Sequence, residues 1–420
     1  MMRLIKFLVL ILLGLLSTTI FNFSNAVIAA PKVSQDNRLT FVATKEIPKY
    51  ESNIYTIKTN GSARRQLTKK LNVYSTIVWL ENGKRLAFIN DGVDVYTMNA
   101  DGSKLTKIFS GFGCKASNIE IQWLLNGQKL AIKESCDGST VDDPGSVSLY
   151  LSDTTGTQGT KLIQRWEIGG ISQKTEISSS LYLSPNGQQV VFFKNKSIWQ
   201  MNTDGSNLTE LTNTPGDDYP SQVIWSPDGN QIAISSGKDN NQPIYLLNVK
   251  NKTLTNLSDE SQKTAYSGII SWSHDGTQLA YYHNQGRDYS GEKLDIFVLD
   301  VNKKTVKKLT YKPGEYSELQ WSPNSKVIAF ASGDYSQKKL YTISIERLKL
   351  TQLASQLLPS EISSLNWSLD GKKIAFIKTE KTKKKPDGQS ILYVSNPDGS
   401  KLTKLSKSND SYIYGQTWQP

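Results

Sequence analysis

The chain has 420 residues, 37% hydrophobic, 10% aromatic and 21% charged, with a formal net charge of +11. That length exceeds what one hydrophobic core usually serves, so several domains or an array of small repeated cores is expected, and the composition excludes disorder, collagen and coiled coil for the whole chain. Two cysteines exclude a disulfide-stapled miniprotein, and two histidines without any CxxC or HExxH exclude the common zinc-hydrolase signatures.

At the N-terminus, Arg3 and Lys6 precede an apolar run from Phe7 to about Ile20, and small residues follow up to Ala26. This order reads as a secretory signal peptide, with cleavage expected after Ala26; an uncleaved anchor extended by Phe21 to Phe23 is the competing reading. No cysteine follows the apolar run, which argues against lipoprotein processing. Residues 1–30 are assigned to the signal and a short mature N-terminus, and residues 31–420 to one domain. The expected setting is periplasmic or extracellular and oxidising, with no stable membrane span after cleavage.

From residue 38 onward one pattern recurs. Its clear openings are Trp225 (WSPDGNQIAI), Trp272 (WSHDGTQLAY), Trp321 (WSPNSKVIAF) and Trp367 (WSLDGKKIAF), with weaker ones at Trp79, Trp123 and Tyr182. Each opening is followed by a second half such as VYTMNADGSKLTKI at 95 or LYVSNPDGSKLTKL at 392. Period-2 alternation predicts four short antiparallel strands per unit, and the Asp-Gly and Asn-Gly pairs predict the tight hairpins between them. A four-stranded sheet of about 45 residues cannot bury both faces alone, so the units are expected to stack radially as blades. Seven of the nine tryptophans sit at the opening position, which reads as packing between blades rather than a ligand cage; Trp199 is read the same way.

The two ends complete one unit. Residues 38–68 match the last three strands, and the missing first strand is GQTWQP at the C-terminus, with Trp418 at the opening position. Pairing of the two ends would close the ring and remove its free edges. The prediction is an all-β, eight-bladed propeller, with seven blades the alternative if the irregular stretch from Cys114 to Arg165 forms no regular blade.

The WSPDG opening, the IAF strand, IY-x-x-N-x-D-G and the terminal Leu-Thr resemble the repeat of TolB-like propellers, periplasmic relatives of the WD-repeat proteins. The resemblance covers residues 38–420. It implies an envelope setting. The chain departs from TolB proper, which resembles it only in the propeller and carries an N-terminal α/β domain and six blades. The eight-blade count resembles propellers of prolyl-oligopeptidase relatives, without their hydrolase domain.

Catalytic signatures do not emerge: there is no GxSxG, GxxxxGK or GxGxxG. His274 occupies a turn slot filled elsewhere by proline. His283 opens the loop HNQGRDYSGEK and is a candidate ligand contact, with solvent exposure as the plain alternative. The NADGS, NTDGS and NPDGS segments are rich in oxygen donors but lack EF-hand spacing, and read as hairpin turns rather than calcium loops. The pairs Asp142–Asp143 and Asp217–Asp218 read as solvated loop charge, so no catalytic residue, metal or cofactor is assigned. Cys114 and Cys136 flank the hairpin of the Trp123 unit at the same end, which predicts a structural disulfide.

Alternating strand direction sorts the connections into two faces. The tight hairpins share one. The longer connections share the other, which carries the candidate ligand-binding residues Trp166, Tyr219, Tyr266, His283, Arg287, Tyr289, Tyr316, Tyr335 and Tyr412. Tyrosine and arginine on rigidly held loops suit protein or glycan recognition. The lysine run Lys381 to Lys385 on this face reads as a solvated turn. The function expected is non-catalytic binding of a protein or cell-envelope polymer by a monomer, with nucleic acid disfavoured; the alternative is a propeller hydrolase or lyase acting on carbohydrate or peptide.

Overall fold

A computed structural model describes residues 38–45, 51–80, 83–111, 117–124, 129–136, 145–153, 155, 160–167, 177–194, 196–213, 220, 222–236, 243–257, 267–284, 294–310, 315–334, 336–382, 385–407 and 410–420. Their strands form eight four-stranded antiparallel sheets, the blades of a β-propeller. The signal-peptide segment lies outside the described residues.

The sequence motif explains each blade's first hairpin. Ser226 Oγ accepts a hydrogen bond from the Gln231 amide at 2.9 Å and donates to Asp228 Oδ1 at 2.5 Å, while that carboxylate also accepts from the Asn230 amide at 3.1 Å. Gly229 follows at φ 73°, a conformation that a Cβ would penalise. The same serine-centred turn recurs at Ser184, Ser273, Ser322 and Ser368. In the second hairpin, Asp101 accepts from both the amide and the hydroxyl of Ser103, as Asp204 does from Ser206 and Asp398 from Ser400. These carboxylates serve their own turns, as the hairpin reading of the DGS segments requires.

Within a blade the second and third strands place aromatic rings opposite each other. Phe88 pairs in register with Tyr96, Tyr281 with Phe297, Phe330 with Tyr341 and Phe376 with Tyr393, with ring centroids 5.6–5.8 Å apart. Cross-strand aromatic pairs of this kind add about 0.5–1.5 kcal/mol beyond the area they bury.

Between blades, the opening tryptophans do two things at once. Trp225 packs with Val191 and Phe193 of the preceding blade, burying apolar surface that neither sheet could cover alone. Its indole N–H donates to the carbonyl of Tyr182, on the first strand of that blade, at 2.9 Å. Trp272, Trp321, Trp367 and Trp418 repeat the step onto Ile224, Ser271, Gln320 and Asn366 at 3.0–3.3 Å. These bonds link the first strands of six consecutive blades, from that of Tyr182 to the closing one, while the buried Trp79 indole nitrogen makes no such bond.

The two chain ends build one blade. Tyr412–Trp418 pairs antiparallel with Arg38–Lys45, and Glu51–Lys58 and Arg65–Gln66 complete that sheet. The stretch after Cys114 also forms a regular blade, from strands Ser117–Leu124, Lys129–Cys136, Ser146–Asp153 and Thr160–Glu167. Eight blades therefore stand, and the seven-blade alternative falls. Cys136 ends its strand opposite Ser117, while Cys114 lies outside the described residues.

Candidate functional site

Strand direction puts the longer connections at one end of the propeller, and the best described part of that end lies on the blades opened by Trp272, Trp321 and Trp367. Here the repeated Leu-Thr has a structural purpose. Thr310 Oγ1 accepts from the Ile296 amide at 2.9 Å and donates to Asp295 Oδ1 at 3.0 Å, tying the outermost strand to the third. Thr68 does the same with Ile54 and Asn53. In the blade of Trp272 the position of Asn53 is taken by an acid, so a carboxylate is buried at the mouth of the loop face: Asp295 is 1% exposed and pairs with Lys308 at 2.7 Å.

His283 lies against that acid. It is not the first loop residue that the sequence suggests but a buried member of the strand Gln278–Asn284, opposite Asp295. Its ring meets Phe297 edge-on at 5.3 Å. Burial holds the imidazole below its ordinary range; Asp295 opposes that shift and Lys308 adds to it. The simple solvent-exposed alternative for His283 is therefore overturned, because the strand pairs two residues further than the turn chemistry indicates, through Asn284.

Tyr316 begins the next blade and stacks on Tyr282 with centroids 6.3 Å apart and planes 8° apart. Burial raises the pKa of both phenols. Two residues on, Glu318 adopts φ 58° at a bulge in the strand Tyr316–Trp321, and its carboxylate accepts the Leu365 amide of the following blade at 3.3 Å. Ser364 and Gly415 take the same left-handed conformation at the matching bulges of the next two blades, at φ 58° and 60°. Burial pushes the Glu318 carboxyl up, while the Leu365 amide and Lys338 pull the other way. Lys338 Nζ donates to Ser317 Oγ at 2.9 Å.

Beside this chain of contacts is an apolar recess between the blades of Trp321 and Trp367. Leu353, Ala354, Leu357, Leu358, Ile362 and Phe376 line it together with Lys338, Lys339 and Lys378, the last buried and paired with Glu380 at 2.7 Å; it is a shallow recess of about 20 Å³, partly open to solvent. Leu358 is 81% exposed, the most exposed large apolar residue among those described.

Of the sequence-nominated residues, His283 and Tyr316 come together around Asp295, and Tyr412 stands apart at the start of the ring-closing strand, opposite Thr44. Trp166 occupies a strand position opposite Val147. Tyr219, Tyr266, Arg287, Tyr289 and Tyr335 lie outside the described residues, as do Asp142, Asp143, Asp217 and Asp218. Sequence reasoning missed Asp295, Glu318, Lys338 and Leu358. Only Asp295 had a signal, the Leu-Thr that ends each unit. Among the described residues no three His, Cys, Asp or Glu side chains converge as a metal set would, and no helix is long and apolar enough to cross a membrane.

No protein-family model matches the chain. A 175-residue stretch is 25% identical to the Tol-Pal system protein TolB of Wolinella succinogenes, covering 40% of this chain and 38% of that protein. A 118-residue stretch is 30% identical to dipeptidyl-peptidase 5 of Porphyromonas gingivalis, covering 25% of this chain and 16% of that one. The chain thus matches well under half the length of either relative. Among solved structures, dihydro-heme d1 dehydrogenase NirN in complex with DHE aligns over 93% of this chain and 77% of its own, with a TM-score of 0.60 and 13% identity, a likeness of fold alone. By repeat and by fold, the chain is a TolB-like β-propeller protein.

Proposed function

We propose that this propeller is a non-catalytic binding module of the cell envelope, which holds a protein or envelope polymer on its loop-rich face. The observation that carries the reading is the exposed Leu358 at a shallow apolar recess on the face that also holds the buried His283–Asp295–Tyr316 cluster. A rigid scaffold presenting an open apolar recess is suited to preorganised recognition, since little ordering is needed on binding. The sequence nominates Tyr219, Tyr266, Arg287, Tyr289 and Tyr335 for the same face, all outside the described residues. The TolB relative supports an envelope setting; export by the N-terminal signal and a Cys114–Cys136 disulfide belong to the same reading on the sequence alone.

The test is capture from native envelope extract with the tagged protein, beside Leu358→Glu and an Arg287→Ala, Tyr289→Ala double variant, each confirmed to be folded. A partner held by the parent and lost by either variant supports the reading. Equal retention by all three would contradict it.

The alternative, a propeller enzyme acting on carbohydrate or peptide, is favoured by one observation: Glu318 is a carboxyl raised by burial on the first strand of its blade, in reach of Lys338. Turnover of oligosaccharide or peptide libraries that is abolished by Glu318→Gln would replace the binding reading.

A further inference from the structure

The opposite face carries a pattern that the loop-face reading does not use. Six large apolar residues are well exposed among those described: Leu105, Leu208, Val306, Leu350, Leu358 and Leu369. All but Leu358 lie on the hairpin face. Leu105, Leu208, Val306 and Leu350 occupy one repeat position, the start of the outermost strand just after the second hairpin, at 42–57% exposure. Leu369 sits at the tip of a first hairpin. At the same repeat position Leu254 and Leu402 are half-buried against the core, whereas Leu105, Leu208, Val306 and Leu350 stand more open to solvent.

Cations flank the same positions. The residue before the outermost strand adopts a left-handed conformation in seven hairpins, and in four of them it is lysine: Lys104, Lys252, Lys304 and Lys401, at φ 53–59°. Asparagine or glycine would fit that backbone more easily, so backbone preference does not explain the lysines. Running round the ring from the blade of Trp225 through the closing blade to that of Trp79, six consecutive blades present exposed cations on their second hairpins, among them Lys250, Lys304, Arg347, Lys349, Lys401 and Lys104. Lys252 and Lys307 are partly committed, to the carbonyls of Glu210 and Ile345 at 3.0 and 2.6 Å.

The acids of these second hairpins are Asp101, Asp300, Glu346 and Asp398, and the first hairpins of the same blades add Asp228, Asp275 and Asp370, each bonded to the serine of its own turn. Asp101 and Asp398 are turned into their own hairpins by Ser103 and Ser400, and Asp300 is held by the Asn302 and Lys303 amides and by the Lys303 ammonium. The blade of Tyr182 interrupts the pattern with Asp204 and Glu210. Neighbouring first hairpins also touch: a Cβ on Gly276 would lie 3.6 Å from Pro227, and one on Gly371 3.6 Å from Pro323. The face is therefore one continuous surface, with its apolar tips and cations at a shared end of the strands.

We propose that the hairpin face is a peripheral docking surface for an anionic lipid bilayer, in which the exposed leucines and Val306 enter the interface and the arc of lysines meets the headgroups. Apolar tips interleaved with cations match the layered chemistry of such a surface, where each cation near the headgroups strengthens binding roughly fivefold. A purely polyanionic partner would use the charges but leave the apolar tips unexplained. Docked in this way, the propeller would hold its loop-rich face away from the bilayer.

The test uses the full chain carrying a benzophenone side chain at the position of Leu350 or, on the opposite face, of Leu358. Each is bound to vesicles of phosphatidylcholine with about one third phosphatidylglycerol, or of phosphatidylcholine alone, and irradiated. The expected result is roughly tenfold more lipid adduct from position 350 than from 358 on anionic vesicles. That adduct should fall about tenfold on neutral vesicles, and likewise in a Lys304→Glu, Lys349→Glu, Lys401→Glu background whose urea midpoint matches the parent. Equal adducts from the two positions, or adducts indifferent to lipid charge, would show that the N-terminal apolar run alone holds the chain, and would overturn the proposal. Capture by soluble polyphosphate without a lipid adduct at position 350 would assign the arc to an anionic polymer, overturning it too.

Discussion

Arg64 and Asp410, 346 residues apart, form a two-point pair: Nη1 to Oδ2 at 2.6 Å and Nη2 to Oδ1 at 2.7 Å. Their side chains are 8% and 0% exposed, and the guanidinium lies over the rings of Tyr55 and Phe41 at 4.4 and 5.3 Å. The Lys407 amide, from the preceding blade, also donates to Asp410 at 2.8 Å. The pair thus fastens the first and last segments of the chain where the ring closes. Removing one partner leaves the other charge buried, at a cost of about 3–5 kcal/mol. Arg64→Met and Asp410→Asn should each lower the unfolding free energy by that order in urea titrations, and the double variant should lose less than the two losses added. Strict additivity would contradict the coupling.

The indole bonds between first strands give a second expectation. Trp321 is 2% exposed and donates to the Ser271 carbonyl at 3.0 Å. Trp321→Phe should destabilise by about 2–4 kcal/mol, from a lost hydrogen bond, a stranded carbonyl and a cavity. Equilibrium unfolding measures it, and a change under about 0.5 kcal/mol would mean that the ring tolerates the loss.

Glu318 should make stability depend on pH. Its folded pKa lies above the ordinary 4.5, so the folded state keeps the proton longer than the unfolded chain does. Its contribution is complete below that ordinary value and is lost as pH rises through the folded one. Relative to Glu318→Gln, the parent's urea midpoint should fall as pH rises above the ordinary carboxyl value. Parallel profiles would contradict the burial of the carboxyl.

The histidines act in the opposite sense. Burial lowers both His274 and His283 from 6.5, so their neutral forms stabilise the fold above that value, and the contribution is lost as pH falls through the folded values. His274→Pro restores the residue that the matching turns carry at Pro185, Pro227 and Pro323. It should add about 0.4–1 kcal/mol near neutrality by restricting the unfolded chain, and more near pH 5. An equal gain at both pH values would mean that His274 titrates alike in both states.

The fold was legible because its information is local and repeated. Ser226, Asp228 and Gly229 specify a hairpin within a few residues, and five turns of this kind set the register of their blades. Trp418 at the end of the chain sufficed to place the closing strand. The site was less legible, since its contacts cross blades. Nothing near Glu318 in sequence announces Leu365, and nothing near Asp410 announces Arg64. His283 shows the limit of turn chemistry: polar residues after it suggest a loop, but the ladder extends to Asn284. The exposed leucines were hidden for the reverse reason, because in a repeat of alternating strands an outward leucine looks like a core one.

The central claim is that the loop-rich face does the binding. Hydrogen exchange of the protein alone and with its captured partner tests it most directly. The account predicts added protection at residues 354–362, beside Leu358, and in the connections holding Arg287 and Tyr289, with the first hairpins at Ser226 and Ser273 unchanged. Protection confined to those hairpins, or no protection on the loop-rich face, would contradict it.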